Sequence, residues 1–294
     1  MSLIKTNAKA FDQVFFKAPS KKEKKLKEFI ELSWRRIKRY ILRIDLDDYN
    51  WDTYSDNYYG PEQYREQLCY TTSLEELEFI FQNKKLYTIS DAKPIHYVHR
   101  CVYESICNLP TFSSIAEIGF GNGKHLVNLS YLLGPDINFY GFEISQKQIN
   151  LFHRTFNKEE KRIQTGILDI TKNSILKKML PEVVFACTVL MHIKRPNAYI
   201  AGLRNFLLSA SRFAVIVDYM GSHDYLKDLE TIKSTNKDLQ NSKFYYYDSG
   251  AYLSIVISLN GEELAGPFNL LDNGMVLKKY LDGDASASRH NARS

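Results

Sequence analysis

The stretch IAEIGFGNGKH, residues Ile115 to His125, decides the fold. It opens as an apolar run suited to a buried strand and passes into three glycines spaced G-x-G-x-G. Such a turn lets backbone N–H groups approach a ligand closely, because glycine carries no Cβ to block them. A dinucleotide fingerprint reads G-x-G-x-x-G, and a phosphate loop ends in G-K-S or G-K-T. Here Gly123 comes one residue early, Lys124 stands where the dinucleotide pattern has glycine, and His125 stands where the phosphate loop has a hydroxyl. Glu117, two residues before Gly119, would set a carboxylate against a pyrophosphate. A ligand that brings an ammonium group and no phosphate suits that carboxylate better.

Outward from this stretch, strand-like runs alternate with helical segments: SSIAEIGF, NFYGFEI, RIQTGILDI, EVVFACTVL and RFAVIVDYM. That alternation predicts an α/β fold, a doubly wound, mostly parallel sheet of seven strands. SKFYYY and AYLSIVIS flank Asp248-Ser249-Gly250, a hairpin signal that closes the sheet with an antiparallel pair. Upstream, Ser73 to Glu76 reads as a capping box opening a helix over LEELEFIFQNKK, and KPIHYVHRCVYESICNL reads as a second helix with Pro94 in its first turn.

In open α/β sheets ligands lie at the carboxyl ends of the strands. At those ends stand Glu143, 24 residues after Gly119, and Asp169, 26 residues further on. Each also fits ordinary helix capping at a strand end. Together with Glu117-Ile118-Gly119-Phe120-Gly121-Asn122-Gly123 they resemble the class I S-adenosylmethionine-dependent methyltransferases over about residues 90 to 260. The resemblance implies that S-adenosyl-L-methionine is the cofactor. It places Glu143 on the ribose hydroxyls, Asp169 on the adenine amino group and Ile170 beside the ring. Glu117, Gly119, Phe120, Gly121, Asn122, Gly123, Ile144 and Cys187 complete the implied cofactor contacts. It further implies a core domain at 91–260, preceded by a helical cap at 1–90 and followed by an extension at 261–284.

The segment after the fourth strand, CTVLMHIKR, is where the resemblance puts the acceptor. His192 is the candidate general base, since an ordinary histidine pKa of about 6.5 suits proton removal near neutrality; a loop-structuring histidine is the alternative. No N-P-P-Y type motif and no Pro-Cys pair occurs there. The expected acceptor is therefore an oxygen, an aliphatic nitrogen or a carbon of a small molecule or glycan. Tyr97, His96, Arg100, Asp218, Tyr219 and His223 are candidates for its pocket. Cys187 reads as a small buried residue rather than a nucleophile.

The 294 residues carry a formal charge of +5, and the excess is local. Between Lys17 and Arg43 eleven basic residues face three acidic ones, with Leu26, Ile30, Trp34, Ile37 and Ile41 at helical spacing. This basic amphipathic helix suits packing on the main domain, contact with an anionic membrane surface, or a grip on nucleic acid. An RNA or protein methyltransferase using this helix is one alternative function, and a non-catalytic cofactor-binding partner subunit is another. The aromatic stretch NWDTYSDNYYG suits a packed surface loop or a lid. No run is long enough to span a bilayer, no signal peptide is recognisable, and Cys69, Cys101, Cys107 and Cys187 form no C-x-x-C pair. A cytoplasmic chain with reduced thiols and no metal site is expected, His96 and His99 lacking a second ligand pair; residues 285–294 are expected to be disordered.

Overall fold

The protein is described by a computed structural model covering residues 79–82, 85–88, 97–156, 162–175, 179–250, 252–272 and 275–278. The basic helix at 17–43, the aromatic stretch at 50–60, His96 and the tail at 285–294 lie outside the described residues.

Alternating side chains build the sheet. In β6, Val183–Cys187, residues 183, 185 and 187 face one core while Val184 and Ala186 face the other. In β7, Phe213–Val217, Phe213, Val215 and Val217 join the first core, and Ala214 and Ile216 the second. Both strands are buried on both faces, as strands covered by helices on two sides must be. The other parallel strands are β3 (Ser114–Ile118), β4 (Asn138–Glu143) and β5 (Ile163–Ile167). Helices α1 (Tyr97–Cys107), α2 (Lys124–Leu132) and α3 (Gln146–Thr155) carry residues of the first core; α4 (Pro196–Leu207) and α5 (Tyr225–Thr235) carry residues of the second.

The strand order is β10 (Phe268–Leu270), β8 (Lys243–Asp248), β9 (Leu253–Ser258), β7, β6, β3, β4, β5. From β3 the chain winds outward through β4 to β5, then returns to lay β6 and β7 on the other side of β3. Winding therefore reverses between β3 and β6, and their carboxyl ends open the crevice where such sheets bind ligands. The doubly wound expectation holds, as does the closing hairpin of β8 (Lys243–Asp248) and β9 (Leu253–Ser258), antiparallel to β7.

Two features differ from expectation. Among the described residues the sheet has eight strands, because β10 (Phe268–Leu270), in the segment expected to be an extension, pairs with β8. The helix expected through Lys85 is not what forms over its second half. Phe79–Gln82 is β1 and Lys85–Thr88 is β2, an antiparallel pair with Gln82 opposite Lys85. Phe79-Ile80-Phe81 is aromatic and β-branched, which favours a strand over a helix. A short helix, α6 (Met275–Lys278), follows β10.

Phe185, fully buried in β6 with strands on both sides, tests the central packing. Phe185→Ala should cost about 3–5 kcal/mol in denaturant unfolding. A loss below about 1 kcal/mol would mean that the centre of the sheet is not the close-packed core described.

Candidate functional site

Three glycines turn the chain out of β3, and the geometry sets the middle one apart from the other two. All have positive φ: 69° at Gly119, 54° at Gly121 and 80° at Gly123. A Cβ at Gly119 would lie 2.6 Å from Val189 Cγ2, and one at Gly123 would lie 2.3 Å from Phe152 Cδ2. Those two positions are closed by packing. At Gly121 a Cβ would meet nothing within 4 Å. The middle glycine therefore presents bare backbone to open space at the end of the sheet, as a ligand cradle requires. Phe120 lies in the core, edge-on to Phe152 at 5.5 Å, and Asn122 Oδ1 accepts from the Lys124 N–H at 3.3 Å.

Glu143, the last residue of β4, holds this loop. Its Oε2 accepts from the Gly121 N–H at 3.1 Å, and Oε1 accepts from the N–H groups of Ile144 (2.8 Å) and Ser145 (3.2 Å). Ile144, next to it, is 45% exposed, an apolar surface beside the acid. Asp169 forms a local turn instead. Its Oδ1 accepts from the Thr171 N–H (3.1 Å) and hydroxyl (2.6 Å), and Oδ2 pairs with Lys172 at 2.8 Å. Partial burial pushes its carboxyl up, but the Lys172 and Thr171 contacts outweigh this and hold it below its ordinary value. Ile170 is packed in the second core.

Glu117 points away from solvent and accepts a contact from His125 Nδ1 at 2.7 Å. His125 Nε2 lies 2.8 Å from His99 Nδ1, and His99 Nε2 lies 2.8 Å from Lys124 Nζ. One tautomer set satisfies the whole chain, with Lys124 donating to His99, His99 to His125 and His125 to Glu117. Burial pushes the Glu117 carboxyl well up; Lys124 opposes this. Burial, then Lys124, pushes His125 well down. His99, Lys124 and their link to His125 are what the sequence reading missed. Their contacts span 25 or 26 residues and exist only because α1 packs on α2. Arg100, by contrast, pairs with Glu104 one turn along α1, at 2.9 Å. Tyr97 begins that helix.

At the end of β6, Thr188 is the described non-glycine residue with positive φ, 55°. A β-branched residue there is strained, and such strain clusters at functional sites. A short 3-10 turn, Leu190–His192, follows and is clamped from β7. Asp218 Oδ2 accepts from the Met191 N–H (3.2 Å) and the Tyr225 hydroxyl (3.0 Å). His223 Nε2 donates to the Leu190 carbonyl at 3.1 Å while its ring stacks on Tyr199 at 3.5 Å. His192 is half-buried; burial, then Lys194, lowers its pKa, so the imidazole is neutral near pH 7. Asp218 is fully buried behind the turn, and Tyr219 is on the surface. Cys187 is buried and its thiol is pushed well up, by burial first and Glu117 second, which suits a packed thiol and not a nucleophile.

Burial raises the Asp218 carboxyl from 3.8 to about 6, against the hydrogen bonds from Tyr225 and the turn. A carboxyl with a raised folded-state pKa binds its proton more tightly in the folded chain. Its stabilising contribution is full below pH 3.8 and is lost as the pH rises through about 6. Asp218→Asn should lack that loss, so its stability relative to the native chain should improve between pH 4 and 7 by on the order of 3 kcal/mol. Parallel thermal melts check this; a pH-independent difference would contradict it.

No protein-family model matches the chain, and no curated protein matches it. Similar solved structures include a SAM-dependent methyltransferase from Aquifex aeolicus, 14% identical over 55% of this chain and 92% of that one, TM-score 0.43. The citrinin polyketide synthase CMeT domain is 13% identical over 55% of this chain and 51% of that one, TM-score 0.41. The CcbJ methyltransferase from Streptomyces caelestis is 16% identical over 43% and 50%, TM-score 0.36. The chain spans about half the length of the last two. The strand order described above, rather than these likenesses, defines the fold.

Proposed function

We propose that this chain is an S-adenosylmethionine-dependent methyltransferase, acting on an oxygen, an aliphatic nitrogen or a carbon of a small-molecule or glycan acceptor. The observation that carries the reading is the pairing of Gly121 and Glu143. An open glycine face and a strand-end carboxylate are joined by one hydrogen bond across the carboxyl ends of β3 and β4, with β3 flanking the point where the winding of the sheet reverses. Bound there, the cofactor would supply a sulfonium-activated methyl carbon open to in-line attack by a nucleophile, with the neutral thioether as leaving group.

The chain's own residues then have distinct tasks. Gly121 leaves room for the ligand, and the Glu143 carboxylate, fixed by three backbone N–H groups, is a rigid acceptor for vicinal hydroxyls. Ile144 offers an apolar face to a planar ring. Asp169 fits the adenine amino group only by giving up part of its local turn, and Ile170 contributes from the core behind it. Val189 presses on Gly119, so the turn that carries His192 is packed directly against the glycine loop. A neutral His192 can accept a proton from an acceptor hydroxyl or ammonium, the role of a general base. Asp218 and His223 act in this reading as positioning residues for that turn, with Tyr219 at its rim.

Gly121→Val fills the cradle. Its affinity for S-adenosylmethionine in calorimetric titration should fall by roughly 100-fold or more, about 2.7 kcal/mol. A cooperative thermal melt shows that the variant is folded. Undiminished affinity in folded Gly121→Val would sink the placement.

A further inference from the structure

The buried cluster behind the glycine loop is built from ligand types that share a metal. One ring nitrogen each of His99 and His125, and Cys187 Sγ, all lie within 4.8 Å of one another. They stand on three separate, well-packed elements: α1, the first turn of α2 and the last residue of β6. Ligands on rigid elements keep their geometry better than ligands on loops. We propose that His99, His125 and Cys187 form a binding site for a zinc ion, which stands independently of the methyltransferase reading.

Three observations support it. The nitrogens that face each other are His125 Nε2 and His99 Nδ1, 2.8 Å apart, and each ring is held from behind. Glu117 Oε1 holds His125 Nδ1 at 2.7 Å, and Lys124 Nζ meets His99 Nε2 at 2.8 Å. A carboxylate on the outer nitrogen of a ligating histidine is the usual support of a zinc site, fixing the ring and raising its basicity. The second carboxylate oxygen, Glu117 Oε2, is buried with no hydrogen-bond partner, in a residue 1% exposed. An unpartnered buried carboxylate oxygen is costly, and a nearby dication offsets that cost. The charges also balance once Lys124 has handed a proton to His99, since a Cys187 thiolate and a Glu117 carboxylate together offset a divalent ion.

Imidazole and thiolate donors select zinc or its close relatives over magnesium and calcium. Zinc bonds of about 2.0–2.1 Å to nitrogen and 2.3 Å to sulfur place tetrahedral donors about 3.3–3.6 Å apart. The two rings must part by about half an ångström, and Cys187 Sγ, within 4.8 Å of them, must close to about 3.6 Å. On coordination Cys187 gives up its thiol proton and His99 gives up the proton on Nδ1; His99 then takes a proton on Nε2 from Lys124, which is left a neutral amine. One coordination position remains for water. The expectation of no metal site rested on sequence spacing, which cannot pair residues as distant in the chain as 99, 125 and 187.

The test is cobalt titration of the full chain, stripped of metal by chelator and kept reduced. Co²⁺ should give a thiolate-to-cobalt charge-transfer absorption that saturates at one equivalent and is bleached by Zn²⁺. Cys187→Ser should lose the band, and Glu117→Gln, which removes the carboxylate behind His125, should bind Co²⁺ about 10- to 100-fold more weakly. A thermal melt accompanies each variant. Absence of the band in the folded native chain overturns the proposal whether or not the variants fold. So does a band that survives unchanged in Cys187→Ser, which would place the metal on another cysteine. In either case the cluster is a metal-free hydrogen-bond chain running from Lys124 to Glu117.

Discussion

The site depends on one carboxylate and three backbone N–H groups. Glu143 ends β4, and its two oxygens accept from Gly121 on one side and from Ile144 and Ser145 on the other. Hydrogen bonds to an ionised acceptor are among the stronger ones available. Here they tie the turn after β3 to the turn after β4, two neighbouring parallel strands that no short connection joins. With the loop held, Gly121 keeps its positive φ and its open face. Without Glu143 the loop would keep its glycines and lose its anchor on β4.

A second coupling runs sideways along the sheet edge. Gly119 is packed against Val189, the residue before the 3-10 turn that carries His192. That turn is held by Asp218 through Met191 and by His223 through Leu190, both of which follow β7. Strain at Thr188 marks where the chain leaves β6 to make this turn. Packing thus links the glycine loop to the turn that carries His192 through the Val189 side chain. Such adjacency is what proximity catalysis needs, since small displacements between reacting groups carry large rate penalties.

Much of the fold could be read from the sequence, because it rests on local signals. The unbroken apolar runs of β6 and β7 and the Asp248-Ser249-Gly250 turn each specify their element within a few residues. Where local signals competed, the reading failed. The capping box at Ser73 favoured a helix over Phe79–Gln82, yet aromatic and β-branched side chains put that stretch in a hairpin. β10 has three residues, two of them exposed, so it leaves no periodic trace. At the site, Glu143 was legible as a strand-end acid. Asp169 fits the capping alternative more fully, since Thr171 two residues on captures it. The His99–His125–Glu117 chain was illegible, because tertiary packing alone brings α1 over α2.

The most direct test of the central claim is calorimetric titration of the full chain with S-adenosylmethionine, S-adenosylhomocysteine and NAD in parallel. The account predicts micromolar binding of the first two, at one site per chain, and none of NAD, because the glycine spacing and Glu117 disfavour a pyrophosphate. Binding of NAD alone, or of none of the three by folded protein, would contradict it.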